Sequence, residues 1–275
     1  MIETTLAQES IEAAWEDKKL LDNPTTQKAI RSAIAALDKG SLRIAMPTEA
    51  GWQVNEWLKK AVILYFLIQD MELIEAGALK FHDKIPLKEN FQALGVRAVP
   101  PAIARYGACL RPGVVLMASY VNIGAYIDAY TMVDIGAAVG SCAQLGKHIH
   151  VSAGAAIGGV LEPIQAKPVI IEDGVFIGAR CSVVEGVIIK QEAVLGANVT
   201  LTASTKILDV TQSGEPTLYK GYVPARSIVI PGAYSKSFPA GTYQVPCALI
   251  IGKRSQHTDL KLSLNQALRD YAIDR

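Results

Sequence analysis

The sequence is short of the residues that staple small domains or hold metals: its 275 residues include four cysteines and four histidines. Cys109, Cys142, Cys181 and Cys247 lie far apart with no CxxC pair. That argues against a disulfide framework or a structural zinc site and leaves buried, reduced thiols as the expectation. An excess of one charge is also missing. The formal net charge is +1, which gives no electrostatic case for nucleic acid or an anionic membrane. The longest apolar run, Ala61 to Ile68, falls far short of the roughly 20 residues of a membrane span. The opening MIETTLAQES has no basic segment leading into an apolar stretch, so no signal peptide is legible and a cytoplasmic location is expected. No Walker loop, GxSxG or HExxH occurs, which removes the commonest motif-bearing enzyme classes. Aromatic residues make up only 7% of a chain that is 50% hydrophobic. Ala, Val, Ile and Gly fill the difference, a composition suited to tightly wound β structure.

The first hundred residues read as mixed and mainly helical. Ile30, Ala33, Ile34 and Leu37 recur at helical spacing, with Gly40 where a C-terminal cap belongs. Leu42 to Met46 reads as a short strand. Trp52 to Ile68 reads as a long helix with Trp57, Leu58, Ala61, Leu64 and Tyr65 on one side. Pro100 and Pro101 close this part.

From about residue 109 a period of six sets in. Val115, Val121, Ile127, Val133, Val139, Leu145, Val151 and Ile157 are six apart, and the series resumes at Ile171, Ile177, Val183, Ile189, Leu195, Leu201 and Ile207. In the first series, from Val121 to Ile157, two residues earlier sits a mostly small residue (Ser119, Ala125, Thr131, Ala137, Ala143, Ile149, Ala155). One residue after comes a turn former (Asn122, Asp128, Asp134, Gly140, Gly146, Ser152, Gly158). This period fits neither the 3.6 of a helix nor the 2 of a strand. It fits a coil of three short sides, the hexapeptide parallel β-helix, with coils stacked at the strand spacing. Ile157 to Ile171 reads as two sides plus two residues, with LEPIQAKP thrown out as a loop, and such insertions often form the functional face of a solenoid. Tyr222 to Ile230 reads as a last coil and Tyr243 to Ile251 as a further strand. A helix over Leu260, Leu264, Ala267, Leu268 and Tyr271 would cap the open end. The expected domains are 1–108, mainly helical; 109–230, the β-helix, with its external loop near 161–169; and 231–275, a strand/helix extension.

YVNIGAYIDAYTMVDIGAAVGSCAQLGKHIHVSAGAAIGGVLEP and the segments LRIAMPTEAGWQVNEWLKKAVILYF and GVRAVPPAIARYGA resemble the tetrahydrodipicolinate N-succinyltransferases of bacterial lysine biosynthesis. MVD, VGSCAQ and GGVLEP are the specific matches. The resemblance implies a left-handed coil, since spacing does not give the hand, and a homotrimer with sites between subunits. It also implies the reaction: the succinyl group of succinyl-CoA, a co-substrate rather than a bound cofactor, passes to the amine of opened tetrahydrodipicolinate without an acyl-enzyme. The family's acidic residue falls on Asp134 and its substrate-binding arginine on Arg97, and a guanidinium suits a dicarboxylate acceptor. Ser141 and Arg180 are the further substrate-binding candidates. Ser182 stands where many relatives carry glutamate, which brings Glu185 forward as a second catalytic candidate. Lys206, Lys220, Arg226, Lys253 and Arg254 are the cations available for CoA phosphates.

Repeat logic alone makes Asp134 an ordinary corner residue like Asp128, and the cations ordinary surface charge. His148 and His150 are spaced to leave one face of a strand, with His82 and His257 as further imidazoles. A zinc carbonic anhydrase-like protein is therefore one rival reading, and an acyltransferase for amino sugars or serine another. The ligand set is too sparse to expect a metal.

Overall fold

The computed structural model describes residues 2–254. Three helices, α1 (Ile2–Glu16), α2 (Pro24–Lys39) and α3 (Glu56–Ile68), pack together at the N-terminal end. Local chemistry fixes the ends of α2. Asn23 Oδ1 accepts from Thr25 N at 2.8 Å, Pro24 opens the first turn, and Gly40 closes it in the left-handed region. Ile30, Ile34, Leu58 and Leu64 are buried in this core, and Ile123 and Cys142 of the coil join it. The expected helix from Trp52 starts instead at Glu56, because Gly51–Val54 pairs with Ala45–Thr48 as a hairpin. The strand expected at Leu42 to Met46 correspondingly begins at Ala45.

The remaining described chain winds as a three-faced parallel coil. The first face begins with Arg97–Val99 and continues through Val115–Met117, Met132–Val133, His150–Val151, Phe176–Ile177 and Val194–Leu195. The second begins with Ile103–Ala104 and the third with Cys109–Leu110. Each strand pairs with the one a full turn later, as Ile127 does with Leu145 and Val133 with Val151. The inward aliphatics from Val121 to Leu201 are almost fully excluded from solvent. Burying each contributes roughly 1.5–3 kcal/mol.

Four details of the expected pattern shift. The inward residue of the strand after Gly113 is Leu116, not Val115, because the next corner is one residue short. The coil begins at residue 97 rather than 109. Pro100 and Pro101 form a corner between its first two sides, and prolines there hide the repeat. The residues in the left-handed region stand three, not one, beyond each inward aliphatic, as Tyr130, Gly136, Cys142, His148, Gly154 and Arg180 do. Finally, Ile157 and Ile171 lie on successive sides, so the loop holds eight extra residues rather than two.

At the C-terminal end Val223 takes the place above Ile189, and Ile207 instead joins the long hairpin Ser227–Phe238/Gly241–Lys253. Ala248 and Ile250 of that hairpin enter the coil's core, so the strand closes the open end. The expected C-terminal helix lies outside the described residues.

Close stacking makes one corner intolerant of any side chain. A Cβ on Gly178 would sit 2.6 Å from Ala197 N and from Leu195 O, both backbone atoms of the next coil. We expect Gly178→Ala to destabilise the protein by about 1–3 kcal/mol or more. A lowered denaturant midpoint checks this, and an unchanged one would contradict the stacking described.

Candidate active site

On the first face, Arg97, Val115, Met132, His150 and Phe176 occupy one register column. Arg97 is exposed, and its guanidinium has no partner among the described residues. Two residues beyond Met132, Asp134 begins the edge between the first and second faces. Arg97 lies two strands away, about 10 Å along the coil. Asp134 Oδ1 accepts from Ile135 N at 2.7 Å. Asn122 and Asp128 make the same bond at their own corners, so this bond is the structural role that the repeat alone predicts. Asp134 differs in what its second oxygen meets. Oδ2 is 3.6 Å from His150 Nε2, and that nitrogen is buried without a hydrogen-bond partner. Arg180 emerges from the same edge two coils on, its stem lying over Gly154. The structure thus brings Arg97, Asp134 and Arg180 to one face and edge.

Ser141 and Glu185 are elsewhere. Both lie on the edge between the second and third faces, where Glu185 Oε2 accepts from Ala203 N at 3.1 Å. Within one chain, neither reaches the Asp134 edge. Ser182 faces outward on the second face, between Ala156 and Thr200. The loop of residues 158–169 runs along this second edge. It starts against Ser141, whose carbonyl accepts from Val160 N at 3.2 Å, and it ends against Gly186, where a Cβ would sit 2.5 Å from Lys167 O.

Sequence reading missed the side chains that fix these motifs. Gln144 of VGSCAQ is buried and donates to Cys142 O at 3.0 Å, while its Oε1 accepts from Arg43 Nε at 3.2 Å. Arg43 in turn lies over the Tyr126 ring at 3.7 Å, and burial lowers its pKa. Lys59, with no exposed surface, donates to the carbonyls of Pro163, Ile164 and Ala166 at 3.1, 2.8 and 2.8 Å. Nothing near Lys59 in the sequence separates it from Lys60, because its acceptors are backbone atoms a hundred residues away.

Most of the expected CoA cations are engaged. Arg226 pairs with Glu192 and donates to Arg254 O at 2.8 Å. Arg254 donates to Gly174 O at 3.0 Å, and Lys253 donates to Ser227 Oγ at 2.9 Å. These bonds lock the returning hairpin onto the coil. Lys206 lies over the Tyr234 ring at 4.1 Å, and Lys220 is exposed. The two histidines do not share a face. His148 is a left-handed corner residue stacked on Tyr130, and only His150 belongs to the strand. Among the described residues no group of three His, Cys, Asp or Glu is placed to hold a metal, and His257 lies outside them. All four cysteines are free and buried, and burial pushes the Cys142 thiol up to about 12 and those of Cys109 and Cys181 to about 11.

A parallel coil of three faces built on a period of six is the architecture of hexapeptide-repeat proteins. Residues 168–203 match the family model described as the hexapeptide repeat of succinyl-transferase, and residues 7–68 match that of the tetrahydrodipicolinate N-succinyltransferase N-terminal region. A 2,3,4,5-tetrahydropyridine-2,6-dicarboxylate N-succinyltransferase of Sodalis glossinidius is 47% identical over 95% of this chain and 97% of its own length. That of Acinetobacter baylyi is 49% identical over 88% and 89%. A solved Campylobacter jejuni structure, described as a 2,3,4,5-tetrahydropyridine-2-carboxylate N-succinyltransferase, superposes with a TM-score of 0.51 at 17% identity. The match covers 81% of this chain but 62% of that one, and the likeness is one of fold. The chain belongs to the tetrahydrodipicolinate N-succinyltransferase family.

Proposed function

We propose that the protein transfers the succinyl group of succinyl-CoA to the amine of tetrahydrodipicolinate, opened as 2-amino-6-oxopimelate, giving N-succinyl-2-amino-6-oxopimelate and CoA. The observation that carries the mechanism is the placing of Asp134 and Arg97 on one outward face. Arg97, with Arg180 on the adjoining edge, binds the acceptor's carboxylates. Asp134 takes a proton from the acceptor's ammonium, which frees the lone pair. The nitrogen attacks the thioester carbonyl and the C–S bond breaks; the nitrogen's second proton passes to the departing CoA thiolate, leaving the amide and CoA thiol. No acyl-enzyme intervenes. The raised thiol pKa values support this, because a protonated, buried thiol is a poor nucleophile.

Ser141 and Glu185 enter the reading through a second subunit. They sit on a different edge from Asp134, so a threefold ring, in which one chain's first edge meets its neighbour's second, would complete the site. Light scattering is expected to give three chain masses, and a monomer mass at micromolar concentration would sink this arrangement. The left hand of the coil belongs to the same reading. CoA lies along a groove between neighbouring β-helices, with Lys206 and the exposed Lys220 as the cations for its phosphates. No helix among the described residues is long and apolar enough to cross a membrane, in keeping with work in the cytoplasm.

A thiol-release assay tests the reaction. CoA thiol should appear only when acceptor is added, and faster from succinyl-CoA than from acetyl-CoA. Absence of release with both substrates present would overturn the proposal.

A further inference from the structure

Lys59 is the largest fully buried side chain among the described residues, and no carboxylate there lies within ion-pair distance of its ammonium. A buried ion costs free energy unless its donors are satisfied, and an ammonium has three N–H donors. The carbonyls of Pro163, Ile164 and Ala166 supply three acceptors, all from one loop. The dependence is mutual, since those carbonyls turn away from water toward α3. Burial lowers the Lys59 pKa, opposed by the nearby Cys142 and by the Glu56 carboxylate one helical turn away. Leu161, from the same loop, packs against the helical core and completes the attachment. The loop's far side runs along the edge from Ser141 to Gly186, next to Glu185.

We infer that Lys59 is a positioning residue for acyl transfer: from the helical domain it clamps the loop 158–169 against the edge that carries Ser141 and Glu185. The inference rests on the reading that this edge forms part of the site. It gives the helical domain a role in the reaction through the loop it holds. Lysine suits the task because its compact head satisfies three carbonyls at once, whereas a planar guanidinium would need more room.

The test uses Lys59→Met, which keeps the apolar stem and removes the donors, and Lys59→Gln, which keeps a donor and removes the charge. Hydrogen exchange should speed up at loop amides such as Val160 and Ala166 in both variants, while the amides of α3 stay protected. KM for the acceptor should rise about tenfold or more in the Met variant, the scale set by small misplacements of binding groups. The Gln variant should fall between it and the wild type, with the Kd for CoA unchanged in both. Unchanged loop exchange would overturn the clamp. Faster exchange with unchanged acceptor KM would overturn the positioning role and leave a purely structural lysine. If the Met variant does not fold, the Gln variant carries both readouts. A wild-type protein that transfers nothing fails the reaction reading instead, and the exchange result then decides the clamp alone.

Discussion

Asp134→Asn should lower kcat by about a hundredfold or more, as loss of a proton acceptor typically does. The substitution is informative because the structural part of the residue's role survives it. Asn retains a side-chain oxygen for Ile135 N, and Asn122 already makes that bond at an equivalent corner. What Asn cannot do is accept the ammonium proton. The variant should therefore fold, bind CoA and scarcely turn over. A merely structural aspartate would give the opposite result, near-normal turnover, because Asn keeps the corner bond. The His150 ring 3.6 Å away will not substitute for the carboxylate, because its Nε2 is buried beside Asp134 rather than open to the acceptor. Wild-type kcat in Asp134→Asn would end the assignment and make His150 or Glu185 the residue to replace next.

Arg97→Met should act on binding rather than on the chemical step. The guanidinium is exposed and has no intramolecular partner among the described residues, so its removal leaves no buried group unsatisfied and should barely move the unfolding midpoint. Losing a charge-assisted bidentate contact costs about 1.5–3 kcal/mol, so kcat/KM for the acceptor should fall roughly ten- to a hundredfold. KM for succinyl-CoA should stay close to wild type. Arg97→Lys should recover only part of the loss, because a point charge does not reproduce the planar fork. An acceptor KM indifferent to both changes would remove Arg97 from the site and leave Arg180 as the first guanidinium to test.

The sequence by itself determined the coil. Inward aliphatics every six residues define three sides whatever surrounds them, because each side chain's burial depends only on its place in its own turn. The helix ending at Gly40 was legible for the same local reason. The site's membership was not local. Which edge a residue occupies depends on the count of residues back to the previous coil, and the loop after Ile157 changes that count. Read as two sides plus two residues, it would carry Arg180 away from Asp134's edge. With its eight extra residues in a single side, it brings Arg180 there and leaves Glu185 on another. Lys59 and Gln144 were hidden for a second reason: their partners are mainly backbone carbonyls, which every residue type carries and no sequence pattern marks. Repeat spacing fixes what points inward, while only the stacking of coils and the docking of the helical domain decide which outward groups meet.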